Sequence, residues 1–178
     1  FEALKKEFGE GYKGILYGGF MTTPGGVKVI EYNARFGDPE AMNVLSVLET
    51  DFFDICNAIV DGSLDRLDIK FQNKATVCKY AVPEGYPDSP IRGEEIFIYD
   101  NQNSLGELFF ASVDLKNEKL LEGGSRTIAA VGTGSCLKKA ELIAEKKINS
   151  VKGPLFHRKD IGTEALIQKR IEHMESLK

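Results

Sequence analysis

The pattern of hydrophobic and polar positions divides the chain into two halves of different character. In the first half, residues 1–73, an apolar segment at 14–21 and an alternating segment at 27–32 flank a Thr-Thr-Pro-Gly-Gly turn, which predicts an antiparallel hairpin. Apolar residues at helical spacing between 40 and 60 then predict one or two helices. We expect apolar strand edges to be exposed in this half.

Short alternating segments dominate the second half, residues 74–178. They predict strands at 75–82, 95–99, 108–113 and 126–131. Gly132–Gly134 are expected to break the chain, and an amphipathic stripe predicts a helix over 137–151. A last amphipathic helix is predicted over 163–178. Because strands come first and helices follow, this half is expected to be a small α+β domain.

Composition and charge exclude several classes of protein. Hydrophobic residues make up 42% of the 178 positions and charged residues 28%, which is typical of a globular chain with a core. No apolar run approaches the roughly 20 residues of a membrane helix, so no membrane partner is expected. The net charge of −4 argues against a nucleic-acid partner. Three widely spaced cysteines fit neither a disulfide framework nor a zinc site, and they suit the reducing cytoplasm.

The two halves also differ in charge. Residues 1–73 carry 7 basic and 12 acidic side chains, whereas residues 74–178 carry 16 and 15. This difference favours two units with different ligands. The chain begins at Phe1 and not at Met, so we expect a piece of a longer protein.

The candidate chemistry lies at the end of the second predicted strand. Glu31 and Asn33 are two residues apart, so their side chains are expected on the same face of the strand. A carboxylate and an amide oxygen suit Mg²⁺, with nucleotide phosphates supplying further ligands, although a solvated strand end also fits. Arg35 continues the alternation and is expected to reach phosphate oxygens. Asp38 precedes a predicted helix, and either contact with a ligand or capping of the helix explains it.

Three strings resemble the C-terminal part of the phosphoribosylamine–glycine ligase family, ATP-grasp enzymes of purine biosynthesis. They are Tyr17–Met21 (YGGFM), Val29–Glu40 (VIEYNARFGDPE) and Phe156–Gly162 (FHRKDIG). The resemblance covers essentially the whole chain. It implies an α+β fold in which residues 1–73 are the C-terminal portion of an ATP-grasp domain and residues 74–178 are a C-terminal α+β domain.

The family resemblance implies an ATP-dependent carbon–nitrogen ligase. Such an enzyme joins glycine to 5-phosphoribosylamine through a glycyl phosphate and gives glycinamide ribonucleotide, ADP and phosphate. ATP, glycine and 5-phosphoribosylamine are then its partners, together with the remainder of the parent chain. The residues that hold adenine in the family fall outside this chain, so the fragment alone is expected to be inactive.

The resemblance also implies roles for particular residues. Glu31 and Asn33 match ligands of Mg²⁺ or Mn²⁺, and Arg35 matches a catalytic position beside the transferred phosphoryl group. Substrate-binding roles are implied for Asp38, Arg126, Arg158 and Lys159. The string Gly-Gly-Ser-Arg at 123–126 has a serine that the family's Gly-Gly-Arg lacks, which weakens the assignment of Arg126.

Two alternatives remain open at this stage. One is another ATP-grasp ligase or carboxylase subunit whose acid is bicarbonate or formate. The other is a non-catalytic interaction module. His157 and His173 have no partner at metal-ligand spacing, and we expect neither to take part in the chemistry.

Overall fold

The computed structural model describes residues 2–9, 11–99 and 105–177. The chain forms two compact units, of which the first covers residues 1–72 and the second residues 73–176. The fold is α+β, as predicted, and the paired strands of the described residues are all antiparallel. Among these residues, no helix combines the length and the apolar character that crossing a bilayer requires.

The first unit contains a hairpin followed by short helices. Its elements are α1 (Glu2–Phe8), β1 (Tyr17–Thr23), β2 (Gly26–Asn33), α2 (Glu40–Leu45), α3 (Phe52–Asp61) and a 3-10 turn (Leu64–Arg66). Strands β1 and β2 pair antiparallel, which confirms the predicted hairpin. The apolar stretch between 40 and 60 forms two helices. The second begins where the Asp51 carboxylate accepts a hydrogen bond of 2.8 Å from the Phe53 backbone nitrogen.

Large apolar side chains of the hairpin are exposed to solvent. The exposed fraction is 54% for Val29 and 61% for Ile30. Because adjacent residues of a strand point to opposite faces, these two values show that both faces of β2 are open within the described residues. Because this sheet has only two strands within the described residues, each strand also has an unpaired edge, and the expectation of exposed apolar strand edges in this half is confirmed.

The second unit packs a long helix on a sheet. Its elements are β3 (Ala75–Pro83), β4 (Glu95–Ile98), β5 (Glu107–Phe110), β6 (Val113–Lys116), β7 (Lys119–Glu122), β8 (Ile128–Gly134), α4 (Leu137–Ile148), β9 (Val151–Lys152), β10 (Leu155–His157) and α5 (Glu164–Ser176). The strands form two four-stranded sheets in the orders β10-β3-β8-β5 and β6-β7-β4-β9. Buried alanines on one side of α4, Ala140 and Ala144, pack against Val77 of β3.

The expected chain break at Gly132–Gly134 is wrong, because β8 continues through Gly134 and pairs with β3 along this stretch. A side chain at Gly132 would collide with the carbonyl oxygen of Ala140 and lie 2.5 Å from the backbone nitrogen of Ala144. The absence of a side chain at Gly132 therefore lets α4 approach the sheet closely.

Several predicted boundaries also differ from the structure. The strand predicted at 108–113 is two strands, since Glu107–Phe110 pair with β8 whereas Val113–Lys116 pair with β7. The helix predicted over 137–151 ends at Ile148 because Val151 pairs with Ile98 in a sheet. The short strands β7 and β10 were not predicted, and the hairpin's first strand begins at Tyr17 and not at Gly14.

Candidate functional site

Glu31 and Asn33 lie together at the end of β2. The Asn33 side-chain nitrogen donates a hydrogen bond of 2.9 Å to Glu31 Oε1, so both side chains are on the same side of the strand. Glu31 is exposed and Asn33 is half-buried, and Gly19 of β1 pairs opposite Glu31. The end of the hairpin thus presents a carboxylate and an amide to solvent.

Tyr17 links this hairpin end to the start of α2. Its hydroxyl donates a hydrogen bond of 3.0 Å to Glu40 Oε1. That hydrogen bond raises the pKa of Tyr17, with smaller contributions from burial and from the negative charges of Glu40 and Glu31. Both carboxylates therefore lie close enough to Tyr17 to act on its hydroxyl, and the hairpin end is acidic. The sequence reasoning did not find Tyr17, although it is the first residue of the YGGFM string.

Arg35 does not continue the strand. Strand β2 ends at Asn33, so the expected alternation stops before Arg35 and that part of the prediction is wrong. The exposed guanidinium donates a hydrogen bond of 2.6 Å from Nη1 to the Phe36 carbonyl oxygen. Its proposed contact with a phosphoryl group stays a prediction.

Asp38 lies one residue before the cap position of α2. That cap position is Pro39. The first turn of the helix carries main-chain bonds from Ala41 to Gly37 and from Met42 to Pro39, of 2.9 and 3.0 Å. Both roles considered for the exposed Asp38, ligand contact and capping of the helix, stay predictions.

The donors present at the hairpin end fit part of a magnesium site. Glu31 and Asn33 offer oxygen ligands on one side of the strand, and Mg²⁺ in nucleotide enzymes usually takes only one or two protein ligands beside phosphates and water. Within residues 2–9, 11–99 and 105–177, no group of three or more His, Cys, Asp or Glu side chains is arranged to hold a metal ion. A cation at the hairpin end would therefore need ligands in addition to Glu31 and Asn33, such as phosphate oxygens and water.

Arg126 follows a tightly bonded turn in the second unit. Its guanidinium carbon lies 5.4 Å from the centre of the Tyr80 ring, a cation–π distance. The turn before it is held by the buried carboxylate of Glu122, which accepts hydrogen bonds from the backbone nitrogens of Gly124 and Glu94 at 2.9 and 3.3 Å. Arg126 thus lies against an aromatic ring two residues after this turn.

Arg158 and Lys159 lie after β10 and are both exposed. The Asp160 carboxylate accepts hydrogen bonds of 3.0 and 2.6 Å from Arg158 Nε and Nη2. These bonds raise the pKa of Arg158 and lower the pKa of Asp160. The two predicted residues are therefore held in different ways. Asp160 binds the side chain of Arg158, whereas Lys159 is held through its backbone, whose carbonyl oxygen accepts a hydrogen bond from Lys79.

A partly buried ionic cluster around Lys79, which the sequence analysis did not predict, is bonded to this loop. We call it the Lys79 cluster: Lys79, Glu141, Glu145 and His157. Lys79 Nζ lies 2.7 Å from one oxygen of each glutamate, and His157 Nε2 lies 3.1 Å from both oxygens of Glu145. Burial alone would raise the pKa of Glu145, but hydrogen bonds from Lys79, His157 and Asn149 outweigh burial and lower it to about 2. The sequence analysis expected no role for His157 and did not predict its contact with Glu145.

Two signals in the sequence point to the Lys79 cluster. Lys79 alternates with Val77 and Ala81 on the buried face of β3, so a charge on that face requires partners. Glu141 and Glu145 are four residues apart and share a face of α4. A cavity of about 280 Å³ lies beside the cluster, and its lining includes His157 and Lys159.

Comparison with known proteins identifies first the class and then the family. The model of the ATP-grasp (A) domain of phosphoribosylglycinamide synthetase matches residues 1–41, so this segment is of the ATP-grasp class. The model of the C domain of the same enzyme matches residues 76–164, half of the chain. The chain therefore belongs to the phosphoribosylglycinamide synthetase family.

Individual relatives agree with this family. The chain is 52% identical to the phosphoribosylamine–glycine ligase of Methanocaldococcus jannaschii and 50% identical to that of Methanocella arvoryzae, in each case over 99% of this chain and 40% of the relative. The crystal structure of the phosphoribosylamine–glycine ligase of Thermotoga maritima matches with a TM-score of 0.74 and 29% identity, covering 89% of this chain and 39% of that one. The chain thus spans about 40% of the length of the curated relatives it matches.

Proposed function

We propose that these residues are the C-terminal part of an ATP-dependent ligase of purine biosynthesis that joins glycine to 5-phosphoribosylamine. The observation that carries this proposal is the 50–52% identity to ligases of that name over 99% of the chain. In this proposal residues 1–73 complete an ATP-grasp domain and residues 74–178 form the C domain. The products are glycinamide ribonucleotide, ADP and phosphate, and the cytoplasm is the proposed location.

The proposed reaction has two steps. A carboxylate oxygen of glycine attacks the γ-phosphorus of ATP, and the bond to ADP breaks to give a glycyl phosphate. The amine nitrogen of 5-phosphoribosylamine then attacks the glycyl carbonyl carbon, and phosphate leaves. Because nothing in the described residues is proposed to hold adenine, we expect no ATP turnover from the 178 residues alone.

Glu31 and Asn33 are the proposed ligands of Mg²⁺ or Mn²⁺, with their oxygens on one side of β2. Bound there, the cation would neutralise charge on the phosphates as the phosphoryl group is transferred. Tyr17 keeps the Glu40 carboxylate at the same hairpin end through a hydrogen bond of 3.0 Å. The exposed Arg35 is the proposed catalytic residue, because a guanidinium matches the oxygens of a phosphoryl group bidentately.

Substrate binding is proposed for four further residues: Asp38, Arg126, Arg158 and Lys159. The carboxylate of Asp38 suits an amine. The cationic side chains of Arg158 and Lys159 suit the 5-phosphate of phosphoribosylamine, and both are exposed. Arg126 packs on Tyr80, so its contribution is expected to depend on that ring.

The test is glycine-dependent ADP formation by the full-length protein that contains these residues, with Glu31→Gln as the variant. Removal of a metal ligand is expected to lower the rate by at least about 100-fold and to raise the Mn²⁺ concentration needed for half the maximal rate. Glu49→Gln is the matched control, since it neutralises another exposed carboxylate of the same unit. A wild-type rate and metal dependence in Glu31→Gln would remove Glu31 from the site.

A comparison of different acids tests whether glycine is the acid that the enzyme activates. Glycine is expected to stimulate ADP formation, and stimulation by bicarbonate or formate in place of glycine would contradict the proposed reaction. If no acid stimulates turnover in the full-length protein, the ligase assignment itself is wrong.

A further inference from the structure

Lys79 is a buried charge with three partners. Only 1% of the residue is exposed, and it lies in the middle of β3 between Val77 and Ala81, which share its face. An ammonium group has three hydrogen-bond donors. Its Nζ uses them on Glu141 Oε1 and Glu145 Oε2 at 2.7 Å, and on the Lys159 carbonyl oxygen at 3.0 Å. The third bond connects the strand to the loop after β10.

His157, the last residue of β10, and the two loop residues that follow it are each held by a separate partner. His157 Nε2 lies 3.1 Å from both oxygens of Glu145. The Arg158 guanidinium is bound by Asp160, and the Lys159 carbonyl oxygen is bound by Lys79. Glu145 also contacts Lys79, so two of these three attachments belong to the Lys79 cluster.

Packing alone does not require this arrangement. The neighbouring core uses Val77 with Ala140 and Ala144, all apolar, on the same sheet and helix. A buried ion pair generally offers little stability beyond what apolar residues of equal volume supply, because both charges must leave water. The distinctive feature of the Lys79 cluster is its hydrogen bond to the Lys159 carbonyl oxygen. This bond fixes the backbone that carries the exposed side chains of Arg158 and Lys159.

We propose that Lys79 is a positioning residue for the substrate's phosphate. Its ammonium group fixes the backbone at Lys159, so that the exposed cationic side chains of Arg158 and Lys159 meet a phosphate monoester on a loop that is already held in place. This inference rests on the proposed function. Lys79 itself does not touch the substrate, because its three donors are used within the second unit.

The experiment separates positioning from stability in the full-length protein. Lys79→Met alone leaves Glu141 and Glu145 without their buried cation, so reduced stability is expected. The triple variant Lys79→Met, Glu141→Gln, Glu145→Gln removes all three charges together, and its free energy of unfolding is expected to return close to the wild-type value. Lys119→Met is the control, because it breaks the exposed pair with Glu95 in the same unit.

Kinetics and hydrogen exchange are measured on all four proteins. In the triple variant, the KM for 5-phosphoribosylamine is expected to rise at least 10-fold, with kcat and the KM values for ATP and glycine within 2-fold of wild type. Backbone amides of residues 157–160 are expected to exchange at least 10-fold faster. The control is expected to match wild type in both measurements.

A wild-type KM for 5-phosphoribosylamine in a stable triple variant would overturn the proposal, as would unchanged exchange at residues 157–160. Equal changes in all three KM values would also overturn it, since they indicate a general structural role. If the wild-type protein itself shows no ADP formation that depends on glycine and 5-phosphoribosylamine, the proposed function fails. Hydrogen exchange then decides separately whether Lys79 holds the loop.

Discussion

The substitution Gly132→Ala tests the closest helix–sheet approach that the structure shows. A Cβ atom at this position would collide with the Ala140 carbonyl oxygen and lie 2.5 Å from the Ala144 nitrogen, whereas real Cβ atoms essentially never come closer than 3.0 Å. Helix α4 would have to move away from β8 by at least about 0.5 Å, judged from the second contact alone. Both obstacles are backbone atoms, so no side-chain rotation relieves them.

The size of the effect follows from the packing that α4 would lose. Ala140, Ala144 and Ile148 are exposed by 2% or less, so the interface has no space to absorb a shift. Overpacking a core costs about 1–3 kcal/mol, and a rigid obstacle favours the upper end, so we expect a loss of about 3 kcal/mol. For a unit of about 100 residues, that loss lowers Tm by roughly 12 to 24 °C.

Urea and thermal unfolding followed by circular dichroism measure this loss. Gly25→Ala is the control, since its new methyl group would have only one neighbour within 4 Å, at 3.8 Å, and its φ is not in the left-handed region. The control is expected to change stability by less than about 1 kcal/mol. A loss below about 1 kcal/mol for Gly132→Ala would refute the reasoning, because it would show that α4 can move at little cost.

Two further predictions concern a helix cap and a titration. Asp51→Ala removes the acceptor for the Phe53 amide at the start of α3 and should lower stability by about 1 kcal/mol in urea unfolding, whereas Asp51→Asn should retain most of it. The pKa of Glu145 is about 2 in the folded protein against 4.5 ordinarily, so its stabilising effect is complete above about pH 4.5 and is lost as the pH falls toward 2. The wild type should therefore lose more stability between pH 6 and pH 3 than Glu145→Gln, and equal losses would contradict the assignment.

The sequence predicts best where one periodic pattern decides the structure. The hairpin was predictable because a strong turn signal separates two apolar segments. The shared face of Glu31 and Asn33 followed directly from their spacing along a strand. The pattern stopped being informative at Arg35, because the strand ends at Asn33 and alternation no longer sets the direction of side chains.

Features that depend on distant contacts were not predictable in the same way. Gly132 resembles a chain break in the sequence, yet its small size serves a helix that packs against it. Lys79 and Glu141 are 62 positions apart, so the strand alternation that indicates a buried charge at Lys79 does not show which acidic residue pairs with it. The strands β7 and β10 are short, and their pairing partners, rather than their own residues, define them.

The open hairpin of the first unit has a practical consequence for anyone who prepares these 178 residues as an isolated polypeptide. Val27 is 67% and Tyr32 59% exposed on a two-stranded ribbon, which has little stability of its own in water. Concentration then becomes the variable that governs sample quality, because copies of the ribbon can stack or pair edge to edge. Dilute storage, a solubilising fusion partner and light scattering before every biophysical measurement are the appropriate precautions.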